Sequence, residues 1–146
     1  MPLLVLTLTP ALRRQVDAAQ FCNDFAQAAA RVAGRQKKFI FIKLAEGELS
    51  FGGQLAERAW LLEFVAAEIV TEDRTAAMSR GLFEFLGSAL GTSIEQGVIE
   101  FRPLQPWASG TMGMTYAELE PQLRERAAQR RAEREGQDDK PRGSKL

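Results

Sequence analysis

One spacing occurs twice along this chain, and it restricts the fold more than any other feature. Phe21, Phe25, Ala28 and Val32 fall at i, i+4, i+7 and i+11, which is one face of a helix. Met78, Leu82, Phe85 and Ala89 repeat that spacing 57 residues later. Gly34 follows the first set by two residues and Gly91 the second, the usual place for a left-handed C-cap. At the same offset Phe41 maps to Val98 and Ile42 to Ile99. Agreement of helix, cap and strand at one offset indicates an internally duplicated β-α-β unit. The predicted class is α/β.

Four strands complete the two units. Leu3 to Leu8 is a β-rich apolar run closed by Pro10, which cannot continue a ladder. Phe39 to Leu44 is a second run, and its unbroken apolar start predicts burial on both faces. Phe51, Gly52 and Gly53 form a loop. Ala59 to Ala67 reads as a third strand, although Leu61, Leu62 and Glu63 also fit a helix. Thr71, Glu72 and Asp73 resemble a helix start. Val98 to Phe101 is the fourth strand, stopped by Pro103. Right-handed crossovers would lay both helices on one face of a four-stranded sheet. Apolar residues on the other face would drive oligomerisation. At the 57-residue offset, Pro2 maps to Ala59.

Composition removes several kinds of chemistry. The chain has no histidine, and Cys22 is its one cysteine. A Cys/His zinc site, a Ser-His-Asp triad and an intrachain disulfide are therefore excluded within one chain. Net charge is zero, but residues 122–146 hold eight Lys/Arg against five Asp/Glu. The preceding residues are mildly acidic, with no nucleic-acid surface expected. No apolar run approaches the ~18 residues of a membrane span, and the start lacks the features of a secretory signal.

Pro2 is the candidate catalytic residue. A small second residue permits removal of the initiator Met, leaving a secondary amine at the head of a strand. An α-amino group titrates near ~8, and an apolar site lowers that by disfavouring the charged form. A neutral amine fixed in place is a general base. The plainer alternative is that Pro2 merely begins a strand.

Several segments together resemble the tautomerase superfamily, in the branch of macrophage migration inhibitory factor and D-dopachrome tautomerase. They are Met1-Pro2-Leu3-Leu4, Gly34-Arg35, Phe51-Gly52-Gly53, Phe83-Glu84-Phe85-Leu86 and Phe101-Arg102-Pro103-Leu104-Gln105-Pro106-Trp107. The last, continued through Gly110 to Thr115, is similar to the D-dopachrome tautomerase ending. The resemblance spans residues 2–116. It implies a homotrimer whose sheets line a central barrel, with sites at subunit interfaces. It also implies keto–enol tautomerisation of α-keto acids such as phenylpyruvate, or of dopachrome, by an N-terminal proline. No metal or cofactor is implied.

Matched to that family, Pro2 holds the base position. Arg35 holds that of a lysine after glycine, where a cation would grip the substrate carboxylate; the alternative is a solvated turn residue. Lys37 and Lys38 are expected to face solvent. The family's Ser-Ile-Gly-like segment reads Ala66-Ala67-Glu68-Ile69-Val70 here, without glycine, and Ala67 is assigned the isoleucine position. Val98 replaces a tyrosine of macrophage migration inhibitory factor. Glu100 replaces an asparagine there, or an arginine of D-dopachrome tautomerase. An acid in that pocket would repel an anionic substrate unless it pairs with Arg35 or points elsewhere. Ala59-Trp60-Leu61-Leu62 replaces the Cys-x-x-Cys of macrophage migration inhibitory factor, so its thiol chemistry is not implied.

The expected layout is a tautomerase-like domain over residues 1–116 and a charged tail over residues 117–146. Within the tail, Leu119 to Glu135 is rich in helix formers, with Pro121 in the first turn and Gly136 as the stop. Gln137 to Gly143 is polar, with the composition of a disordered segment. The chain finishes Ser144-Lys145-Leu146, which matches the address read by the peroxisomal import receptor. The expected compartment is the peroxisome, with the cytoplasm second. The expected function is a keto–enol tautomerase. The alternative is a cytokine-like or regulatory binding protein on the same trimeric scaffold, favoured by the altered Ala67, Val98 and Glu100.

Overall fold

The computed structural model describes residues 1–138. Two compact units divide the chain between Leu104 and Gln105. The first begins with β1 (Leu3–Leu8), α1 (Pro10–Gln15), α2 (Ala18–Ala33) and β2 (Phe41–Glu46). A short hairpin follows, β3 (Ser50–Phe51) and β4 (Gln54–Leu55), turned by Gly52 and Gly53. Then come β5 (Trp60–Ala66), α3 (Glu72–Leu90) and β6 (Gly97–Pro103). The second unit holds a hairpin of β7 (Gly110–Thr111) and β8 (Met114–Thr115), then α4 (Tyr116–Asp138).

The sheet order is β2-β1-β5-β6. β1 runs parallel to β2, β5 runs parallel to β6, and β1 meets β5 antiparallel. Each β-α-β unit thus supplies one edge strand and one central strand. The core lies on one side of the sheet. Leu4, Leu6 and Leu8 of β1 and Trp60, Leu62, Phe64 and Ala66 of β5 join Phe21, Phe25 and Ala29 of α2 and Met78, Leu82, Leu86 and Leu90 of α3. Phe25 stacks on Phe85 of α3 with ring centroids 5.6 Å apart.

The two helices end as the repeat predicts. Gly34 (φ 63°) and Gly91 (φ 64°) are left-handed C-caps, a conformation in which a Cβ is disfavoured. Arginines cover both ends. Arg74 donates to the Ala33 carbonyl at 3.1 Å, and Arg58 to the Leu90 carbonyl at 2.7 Å. Cations there complement the helix dipole as well as the orphan carbonyls. Gly97 answers a different need: a Cβ at that position would overlap the buried Trp60 ring.

Several expectations need correction. The second strand starts at Phe41 because Lys37–Phe39 forms a 3₁₀ turn. It is not buried on both faces. As an edge strand with helices on one side only, it leaves Phe41 55% exposed. The repeat also slips by one residue in the central strands. Leu3 pairs with Phe41, and Leu61 pairs with Val98, so Leu3 corresponds to Leu61 and Pro2 to Trp60, not Ala59. From the equivalent strand position to the equivalent helix position, Leu3 to Phe21 against Leu61 to Met78, the first unit is one residue longer, and α1 lies in that stretch. Thr9 before Pro10 was a readable start signal for α1. Thr9 itself is buried; it donates its N–H to the Ala59 carbonyl and accepts the Ala59 N–H on Oγ1, both at 3.1 Å.

α4 begins three residues before Leu119, at Tyr116. Glu118 explains the early start. Its carboxylate accepts the Thr115 N–H and hydroxyl, each at 2.8 Å, while the Glu118 N–H returns to Thr115 Oγ1 at 3.3 Å. These reciprocal bonds are a capping box, and they hold the Glu118 carboxyl below its ordinary pKa. Pro121 and Gly136 therefore lie inside the helix, not in its first turn and beyond its end. No helix among the described residues is long and apolar enough to cross a membrane.

Candidate active site

Pro2 is buried at the head of β1, and its carbonyl accepts the Phe41 N–H at 3.0 Å. The β1–β5 register sets Leu3 against Val65, which brings Pro2 to the end of β5. Beyond that end the chain turns sharply. The Ile69 N–H donates to the Ala67 carbonyl at 2.8 Å, two residues back. Glu68, between them, has φ 67°. This is a γ-turn with a left-handed centre, which is strained for a residue bearing a side chain. Ala67 is half-buried at the turn's first position, and Ile69 is buried at its third.

Arg35 follows the Gly34 cap, with its N–H on the Ala30 carbonyl at 3.0 Å. Its guanidinium Nη2 lies 4.0 Å from Glu68 Oε2, and the two side chains are 41% and 45% exposed. Pro2, Ala67, Glu68 and Arg35 thus share one end of the sheet. Glu68 was not singled out from the sequence; the missing family glycine at that place was its signal. Lys37 and Lys38 lie on the 3₁₀ turn and are exposed; Lys37 Nζ donates to Asn23 Oδ1 at 2.6 Å.

Val98 and Glu100 do not join this group within one chain. Val98 pairs with Leu61, which pairs with Thr7, five residues from Pro2. At ~3.3 Å per residue that is about 16 Å along the sheet. Glu100 pairs with Glu63, which faces Val5, about 10 Å along by the same rise. Nor does Glu100 reach Arg35. It accepts Arg102 Nε at 2.9 Å, and Arg102 also bonds Glu63. The hydrogen bond and charge of Glu100, with those of Glu63, raise the Arg102 pKa. Arg102 therefore offsets the acidic charge that the sequence left unbalanced. These residues belong to the sheet face that carries no helix, together with the exposed Leu3 (37%), Phe41 and Val98 (44%).

A β-α-β unit used twice, with a buried proline at the head of a central strand and an arginine at the same end, defines a tautomerase-superfamily scaffold. The macrophage migration inhibitory factor family matches residues 1–117, and the chain belongs to that family. That membership supports isomerase chemistry of the tautomerase type in general. The macrophage migration inhibitory factor of Oncomelania hupensis has the same fold at a TM-score of 0.68 and 15% identity, covering 78% of this chain and 96% of its own. A fused 4-OT asymmetric trimer matches at 0.68 and 19%, covering 80% and 98%. Pt0534, solved after inactivation by 2-oxo-3-pentynoate, matches at 0.68 and 14%, covering 80% and 98%. At these identities the likeness is one of fold. No curated protein matches the chain in sequence.

Proposed function

We propose that this protein is a homotrimeric keto–enol tautomerase of the phenylpyruvate or dopachrome type, with the amine of a Met-processed Pro2 as acid/base. The observation that carries this reading is the burial of Pro2 beside the γ-turn at the Arg35 end of the sheet. Burial favours a neutral amine, and thus a base. In the proposed reaction Pro2 takes a proton from the carbon next to the ketone. The C–H electron pair forms the enolate C=C bond, and the carbonyl pair moves onto oxygen. The same proton then returns to that oxygen, giving the enol. Arg35 holds the carboxylate, and Ala67 lines the site.

Surface chemistry and likeness both support the trimer. Leu3, Phe41 and Val98 leave apolar surface on the open sheet face, which association would cover, and a fused 4-OT relative is described as a trimer. A neighbouring copy would bring its Val98 and Glu100 toward Pro2, which one chain alone does not do. The Phe101–Trp107 stretch favours a D-dopachrome-like substrate range. A regulatory binding role is the second reading, favoured by the pairing of Arg35 with Glu68.

Treatment with 2-oxo-3-pentynoate tests the base directly. A neutral Pro2 amine should add once to the conjugated alkyne, so intact mass rises by one reagent per chain and peptide mapping finds it on residue 2. Phenylpyruvate turnover should fall in step. Labelling elsewhere, or full labelling with full turnover, would refute the assignment. The reading extends to peroxisomal import through Ser144, Lys145 and Leu146, which lie outside the described residues. Deleting those three residues from a fluorescent fusion should return it to the cytoplasm.

A further inference from the structure

We infer that Glu68 is a specificity-determining residue, an internal competitor that occupies Arg35 until a substrate carboxylate displaces it. The inference rests on Arg35 as carboxylate anchor in the function proposed above, and it names which substrates that anchor favours.

Two independent features point to Glu68. The first is its backbone. Glu68 sits at the centre of a γ-turn with φ 67°, and the Ala67 carbonyl and Ile69 N–H close the turn at 2.8 Å. Glycine would adopt this geometry without a Cβ penalty. A charged residue holds it here at a conformational cost, and such strain persists only where surrounding structure enforces it. Buried Ile69 is the enforcing contact: it fastens the turn's third residue in the core.

The second feature is that the carboxylate lies within ion-pair distance of Arg35. Its Oε2 lies 4.0 Å from Arg35 Nη2, with both side chains nearly half exposed. A substrate carboxylate and the Glu68 carboxylate have the same charge and shape, so both suit the guanidinium fork. They cannot share it freely, because two carboxylates on one cation repel each other. An acid must therefore displace Glu68 or accept a weaker grip. A neutral carbonyl compound meets no such competitor. Glu68 thus shifts selectivity from small acids toward uncharged or esterified carbonyl substrates. An exposed pair is worth little, so the barrier is graded and not absolute.

Glu68→Gln removes the charge and keeps the volume, and Glu68→Gly also relieves the backbone. The full-length, Met-processed protein is compared with both variants, and with Arg35→Gln. Calorimetric binding of 3-phenylpropionate, which lacks the ketone and does not turn over, reads the anchor without catalysis. Binding should tighten about 3- to 5-fold in Glu68→Gln, the range an exposed ion pair allows, and weaken in Arg35→Gln. For phenylpyruvate, KM should fall by the same factor at unchanged kcat, while KM for methyl phenylpyruvate stays constant. Glu68→Gly should keep or raise the melting temperature, which checks the fold. Equal binding of 3-phenylpropionate by wild type and Glu68→Gln overturns the inference, as does unchanged binding by Arg35→Gln. A wild type that binds 3-phenylpropionate as expected, yet turns over neither ketone, defeats the tautomerase reading and leaves the competitor role of Glu68 standing.

Discussion

A residue fixed ahead of Pro2 is expected to lower tautomerase turnover by about 10²–10⁴-fold, the usual share of general acid–base catalysis. An acylated proline nitrogen is an amide whose lone pair is delocalised into the carbonyl, so it cannot accept the substrate proton. The fold should survive the extension. What anchors residue 2 is its carbonyl, which takes the Phe41 N–H at 3.0 Å, and that bond does not involve the nitrogen. Met1 precedes Pro2 in this structure; the comparison is therefore between Met-retained and Met-processed protein of verified mass. Pro2→Gly, fully processed, separates base from ring. Its primary amine titrates near ~8 but lacks the fixed φ of proline, so a partial loss is expected. Equal turnover with and without the extension would eliminate Pro2 as the base. Circular dichroism that matches between the two forms excludes misfolding as the cause.

Phe25→Ala is expected to destabilise the protein by about 3–5 kcal/mol, the range for deleting a buried aromatic side chain. Phe25 has no exposed surface. Its ring stacks on Phe85 at 5.6 Å and tilts against Phe21 at 5.9 Å, bridging the two halves of the duplicated fold. Truncation removes one of the contacts through which α2 and α3 meet over the sheet and leaves a void that packed neighbours fill poorly. Urea denaturation at fixed protein concentration measures the effect, because assembly would make the midpoint concentration-dependent. Phe25→Leu should cost markedly less. A loss below about 1 kcal/mol for Phe25→Ala would mean that the site collapses to fill the gap.

The helices and their ends were legible because the evidence for them is local. A 3.6-residue apolar period and a glycine two residues on define α2 with Gly34 and α3 with Gly91, whatever surrounds them. β1 was legible to the residue, since Pro2 and Pro10 bracket one apolar run. β2 was less so. An apolar run does not reveal where a 3₁₀ turn gives way to a strand, nor which side of that strand a helix will cover. The single-residue slip that pairs Pro2 with Trp60 was hidden for a similar reason. α1 takes up the extra residue, and only the ladder register reveals it.

The candidate site divides along the same line. The sequence by itself determined the doubled β-α-β plan, the position of Pro2 at a strand head and the cation after the Gly34 cap. Each depends on patterns local to one stretch of chain, the plan being such a pattern written twice at an offset of 57 residues. The tertiary structure decided the rest. Register carried Val98 and Glu100 away from Pro2 of their own chain. Cross-strand contact added Glu63 of β5 to the Glu100–Arg102 pair within β6. The left-handed turn at Glu68 set a carboxylate against Arg35. Those outcomes depend on which distant strands lie side by side and on where packing forces the backbone, and neither is encoded in any single stretch of sequence.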